Sequence, residues 1–245
     1  HSITKMAHLH FVAAEEYRRR VIQLGEAPER VFQVGGLGID GILRLQLLTR
    51  SELEEALDFK LAPRNLLITF HPVTLEQNTS AAQMDELLAA LAELADTGLI
   101  FTMPNADTEG RVLFQQIQDF CATQPQARAY TSLGQLRYLS CLRHLDGVVG
   151  NSSSGLTEAP SFSKGTVNIG DRQRGRLRAA SVIDCEPRAA AIAEAIDRLF
   201  SPDFQAQLTE VENPYGSGGA SDAIVAILEQ ADLNSLLKKQ FYDFS

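Results

Sequence analysis

Gly147-Val148-Val149-Gly150-Asn151-Ser152-Ser153-Ser154-Gly155 is the stretch whose reading decides the fold. An apolar strand that ends in glycine and small hydroxyl residues and then enters a helix makes an anion site. The free N–H groups of a first helical turn point outward, and the helix dipole favours negative charge there. Ser152, Ser153 and Ser154 add hydroxyl donors, while Gly150 and Gly155 allow the backbone to come close to a ligand. Two readings stand side by side at this point: a diphosphate cradle, or a serine cluster that caps an ordinary helix.

Outward from that loop the chain alternates regularly. Before it come strands at 65–70, 99–103 and 127–130, separated by helices at 81–95, 109–121 and 133–144. Met84, Leu87, Leu88, Leu91 and Leu94 recur on one helical face. After it come strands at 166–169 and 181–183, a helix opened by Pro187 and running to Phe200, and a last helix capped by Ser221 and running to Gln230, with 233–241 as its extension. A helix at 51–57 carries Ser51 as N-cap and Glu54 in the capping-box position. Strands spaced by helices of this length imply an α/β protein with a parallel sheet covered on both faces, and ligands bind at the carboxyl ends of its strands. His71, Asn105, Asp107, Asn151 to Ser154, and Arg172 all fall at such ends.

These residues suit anion and sugar chemistry. Histidine exchanges a proton near neutral pH, so His71 at a strand end is a candidate acid or base. Asn105 and Asp107 offer ligand contacts, although Pro104, Asn105 and Asp107 also make an ordinary turn. Glu158, one helical turn beyond Ser154, can accept two hydroxyl donors such as a ribose diol. Pro160 limits that helix to about two turns. Arg172, Arg174, Arg176 and Arg178 put four arginines into seven residues, with planar paired donors suited to phosphate. Gly35-Gly36-Leu37-Gly38 lacks the spacing of a dinucleotide fingerprint.

Composition narrows the classes. A chain of 245 residues with 44% hydrophobic and 22% charged residues is long enough for one large domain or two smaller ones. A net charge of -9 argues against a broad nucleic-acid face. Cys121, Cys141 and Cys185 show no metal spacing and read as buried thiols in a reducing, cytoplasmic compartment. No run of membrane-spanning length or signal peptide is visible. The first 45 or so residues hold strand, helix, strand and a glycine-rich turn, too little for a core of their own. They read as the end of a preceding domain.

Five segments together resemble one family: His1-Ser2-Ile3-Thr4-Lys5-Met6-Ala7-His8, Val34-Gly35-Gly36-Leu37-Gly38-Ile39-Asp40, Phe70-His71-Pro72-Val73-Thr74, Gly150 to Gly155, and Asn168 to Arg176. The sequence is similar to the hydrolysing UDP-N-acetylglucosamine 2-epimerases of sialic acid biosynthesis, from His1 to the closing 238–244. The resemblance implies Rossmann-like, doubly wound parallel sheets in a glycosyltransferase-B arrangement of two facing domains. On that pattern residues 1–50 are the end of the N-terminal domain and a linker. Residues 51–230 are the UDP-binding domain, and 231–245 pack back on the N-terminal one.

The resemblance also implies the reaction: UDP-N-acetylglucosamine and water give N-acetylmannosamine and UDP, through proton removal at C2, departure of UDP and addition of water to a glycal. Ser152 and Ser153 would hold the diphosphate, Glu158 the ribose hydroxyls, Arg172 the phosphates or the closing loop, and Asn105 the nucleotide. His71 would assist the departing phosphate. Gly36, Asp107, Asn151, Ser154 and Arg176 are further positions around the ligand. UDP and UDP-N-acetylglucosamine are the implied partners, with self-association of the whole protein and no metal or other cofactor.

The acid–base groups for C2 would lie in the N-terminal domain before His1. Each such step contributes about 100- to 10,000-fold, so this chain alone would bind UDP and barely turn over. Other readings are a stand-alone UDP-binding module, a glycosyltransferase-B sugar transferase, and a non-hydrolysing 2-epimerase.

Overall fold

The computed structural model describes residues 1–72, 79–104 and 108–243. They form two compact units, one made of His1–Arg44 with Asn213–Ser245, the other of Leu45–Glu212.

In the smaller unit two parallel strands, β1 (His10–Val12) and β2 (Val31–Gln33), are joined through the helix Glu15–Gln23. The glycine-rich turn after β2 runs straight into a helix, Leu37–Arg44, that two internal glycines hide in the sequence. The segment 213–230, read from sequence as part of the UDP-binding domain, groups instead with this unit. The cause is a long-range cap. Buried Asp40 accepts from Ala220 N at 3.2 Å, Ser221 N at 2.6 Å and the Ser221 hydroxyl at 2.5 Å, at the start of the helix Ala220–Gln230. Ser221 therefore donates to the cap; it does not supply it, and Gly219 at φ 86° is the N-cap. Beyond this helix only Leu233–Leu236 is helical, not the whole of 233–241.

Buried Glu26 gathers the ends of the chain. Its carboxylate pairs with Lys5 and His10 at 2.8 Å and Lys239 at 2.7 Å. Lys239 also donates to the carbonyls of Thr4, Lys5 and Ala7. The closing segment thus lies against the opening one.

The larger unit holds six parallel strands: β3 (Arg64–Thr69), β4 (Thr97–Thr102), β5 (Ala127–Tyr130), β6 (Gly147–Gly150), β7 (Gly165–Ile169) and β8 (Val182–Cys185), in the spatial order β5-β4-β3-β6-β7-β8. The chain winds outward from β3 to β5, returns to place β6 on the other side of β3, and winds outward again to β8. This is a doubly wound sheet whose order reverses between β3 and β6.

Side chains alternate across the sheet. Leu66, Ile68, Phe70, Val149, Val167 and Ile169 join one core with Met84, Leu87, Leu91, Leu113, Ile117, Ile192 and Ile196 from covering helices. Leu67 and Ile100, on the opposite face, are fully buried as well, as are Leu53, Leu57, Leu139 and Leu142 from the helices Arg50–Leu57 and Gly134–His144. The capping box of the first of these is Thr49 with Glu52, two residues before the expected Ser51 and Glu54. Both pairs fit the pattern, but Glu54 is engaged by Lys60 and the Leu61 N–H.

Two carboxylates make the smaller unit acid-sensitive. Burial pushes Glu26 upward, but its bonds from Lys239, Lys5 and His10 win and hold it at about 2, against an ordinary 4.5. Asp40, hydrogen-bonded by the Ser221 hydroxyl and the backbone around it, lies at about 2 against 3.8. Carboxylates lowered on folding stabilise above their unfolded values and lose that contribution as pH falls through the folded ones. Stability should therefore drop between pH 4.5 and about 2. Glu26→Gln should flatten that slope in amide exchange of residues 1–44; an unchanged slope contradicts the assignment.

Candidate functional site

At the β3–β6 reversal the two strand ends pack closely. Gly150, at φ 138°, lies so near β3 that an added Cβ would sit 2.0 Å from the Thr69 carbonyl oxygen. Only glycine fits. Gly155 packs in the same way on Thr166, whose hydroxyl donates to the Gly155 carbonyl at 2.8 Å. The sequence assigned both glycines to close approach of a ligand; the structure assigns them to close approach of β3 and β7.

Asn151 follows Gly150 and is 1% exposed. Its N–H donates to Thr69 O at 3.1 Å. Its side-chain Oδ1 accepts from His71 N at 2.8 Å and its Nδ2 donates to His71 O at 2.8 Å. Its own carbonyl accepts from Arg172 Nη1 at 3.1 Å and Gln173 Nε2 at 2.7 Å. His71, Asn151 and Arg172, each chosen from sequence, are thus one connected group, and the Asn151 side chain faces His71.

Ser152 and Ser153 are half-buried, and no protein acceptor among the described residues takes the backbone N–H groups of Ser152, Ser153 and Gly155. Ser154 is turned inward, 8% exposed with its Oγ buried, so its hydroxyl is not a surface donor. The following helix is shorter than expected. One α-turn, Ser154–Thr157, passes into a 3-10 turn, Ala159–Phe162, with Pro160 at its start. An anion placed here would meet individual N–H groups more than a helix dipole. Half-buried Glu158 accepts from the Thr157 hydroxyl at 3.3 Å.

The four arginines divide. Arg172 reaches back to Asn151, and partial burial followed by the charge of Arg176 lowers its pKa below the ordinary arginine value. Arg174 and Arg178 face the other way, into a cavity of about 560 Å³ at the ends of β7 and β8, where Arg178 pairs with Asp184 at 3.0 Å. Gln173, missed in the sequence, is 1% exposed, and its Oε1 has no partner among the described residues. The signal was there: one neutral amide set between arginines.

A second cavity, about 310 Å³, opens at the ends of β4 and β5. Thr102, Met103, Thr131, Gln135 and Tyr138 line it. Burial pushes the Tyr138 hydroxyl up to about 12. Gly36 lies in the smaller unit, and its N–H is taken by Tyr215 O at 2.8 Å. Asn105 and Asp107 lie outside the described residues.

The reversal of strand order, with serine N–H groups and an arginine at its edge, defines a Rossmann-like α/β unit. The chain belongs to the UDP-N-acetylglucosamine 2-epimerase family, whose model matches residues 1–229. It is 39% identical over 245 residues to the GDP/UDP-N,N'-diacetylbacillosamine 2-epimerase (hydrolyzing) of Campylobacter jejuni, covering 99% of this chain and 63% of that one. It is also 39% identical over 245 residues to the polysialic acid biosynthesis protein P7 of Escherichia coli, covering all of this chain and 62% of that one. Among solved structures, S. aureus MnaA with UDP shares the fold with a TM-score of 0.73 at 17% identity, over 99% of this chain and 64% of that one. The chain thus spans under two thirds of the length of these relatives. No described helix is long and apolar enough to cross a membrane.

Inorganic pyrophosphate titrated into the chain tests the division of the arginines. A charge-assisted hydrogen bond is worth about 1.5–3 kcal/mol, so Arg172→Ala should weaken binding roughly ten- to a hundredfold. Arg174→Ala should leave it unchanged. Equal losses in both contradict the division.

Proposed function

We propose that the larger unit holds the diphosphate of UDP-N-acetylglucosamine for a hydrolysing 2-epimerase that releases N-acetylmannosamine and UDP. The observation that carries the proposal is the set of free N–H groups at Ser152 and Ser153 facing the same strand ends as Arg172 and His71. Free N–H groups and a guanidinium bind phosphate oxygens, and both are strongest where negative charge develops as UDP departs.

The cavity beside Tyr138 seats the base, because it is partly apolar and lies further along the same edge of the sheet. Glu158, one turn beyond the serine loop, takes the ribose hydroxyls. Asn105 contacts the nucleotide. His71 stabilises or protonates the departing phosphate, a role for a group that exchanges protons near neutral pH. Arg176 adds positive charge beside Arg172.

In the reaction a base takes the proton from C2 of the sugar, the C1–O bond to UDP breaks, and a glycal forms. Water then adds to it with inverted configuration at C2. The active protein is a cytoplasmic homo-oligomer.

A second reading keeps the chemistry and changes the sugar to diacetylbacillosamine, favoured by the name of the Campylobacter jejuni relative.

Product analysis of the full-length protein, given each UDP-sugar in oxygen-labelled water, tests the proposal. Free N-acetylmannosamine carrying the label, with one UDP released per turnover, is expected. UDP-N-acetylmannosamine with no released UDP would identify a non-hydrolysing epimerase, and a requirement for an acceptor sugar a transferase. His71→Ala should lower kcat by about 100- to 10,000-fold.

A further inference from the structure

Asn151 joins two functional groups through a single buried residue. Its side-chain amide takes both the N–H and the C=O of His71, each at 2.8 Å, in the manner of a neighbouring strand. The His71 peptide is therefore fixed in orientation, and the imidazole starts from a fixed Cα. The carbonyl of the same residue holds Arg172 and Gln173, the base of the arginine loop. Arg172 has five N–H donors in a rigid fork and places one on Asn151. The rest of the fork suits an anion, which would also relieve the repulsion from Arg176.

Resting on the proposed diphosphate site, we infer that Asn151 is a positioning residue that couples occupation of the arginine loop to the placement of His71. An anion on Arg172 sets that guanidinium, the guanidinium sets the Asn151 carbonyl, and the amide sets the His71 main chain. Asn151 itself touches no ligand. A purely structural asparagine would stabilise the two strand ends without making His71 respond to the anion.

The titration of His71, followed by NMR in the full chain with and without UDP, separates the two roles. His71→Gln assigns the resonance among the five histidines, and calorimetry measures UDP binding in parallel. In the unaltered protein UDP should shift the His71 midpoint. Asn151→Ala should still bind UDP and show a much smaller shift, because the phosphate then acts on a His71 no longer held in place. Asn151→Asp keeps the shape and the bond from His71 N–H but lacks the donor to His71 O; it should retain part of the shift. If Asn151→Ala fails to fold, the isosteric aspartate variant decides. A full shift in a variant that binds UDP overturns the inference, as does UDP binding to the unaltered protein that leaves His71 unmoved, and in both cases the diphosphate site stands. Absence of UDP binding to the unaltered protein overturns that site and the inference together.

Discussion

The pairing of β3 with β6 is the constraint on which the larger unit depends, and it is clamped at both ends by side chains acting as backbone. At the amino end Asp146 accepts from Asn65 N at 2.7 Å and donates its own N–H to Asn65 O at 2.9 Å. At the carboxyl end Asn151 takes both polar groups of His71. Between the clamps Leu66, Leu67, Ile68 and Thr69 pair with Gly147, Val148, Val149 and Gly150, and Gly150 packs directly on Thr69. A doubly wound sheet opens a crevice where its order reverses, because the connections leave in opposite directions. Holding the two strands together there keeps the groups at their carboxyl ends in fixed relation.

Electrostatics at this edge run against the whole. The chain carries a net charge of -9, yet Arg172 and Arg176 lie close enough for one to lower the pKa of the other. Among the described residues neither has an ion pair, and like charges placed near one another favour a bound anion. Arg178 has no such demand, since Asp184 already meets it. Local geometry, not net charge, separates Arg172, set beside Asn151, from Arg178, already paired with Asp184.

Periodicity made the alternation of strands and helices legible, and with it the parallel sheet and the carboxyl-end placement of His71 and the serine loop. Short-range rules failed wherever a long-range partner replaced a local one. Ser221 looked like a cap because its neighbours fit the pattern, while the acceptor is Asp40, 181 residues away. Glycines 150 and 155 look the same in sequence whether they approach a ligand or a strand. Ser154 is indistinguishable from Ser152 until the turn places one inward and the other at the surface. Asn151 was legible as a site residue, but its direction was not, since an asparagine at a strand end serves a ligand or a neighbouring main chain equally well.

The family assignment accounts for the fold of both units. A crystal structure of the chain with UDP is the most direct measurement. Diphosphate oxygens should lie within hydrogen-bonding distance of the Ser152 and Ser153 N–H groups and the Arg172 guanidinium, with His71 still held by Asn151. UDP bound in the cavity between Arg174 and Arg178, with the serine loop empty, would contradict the placement of the site.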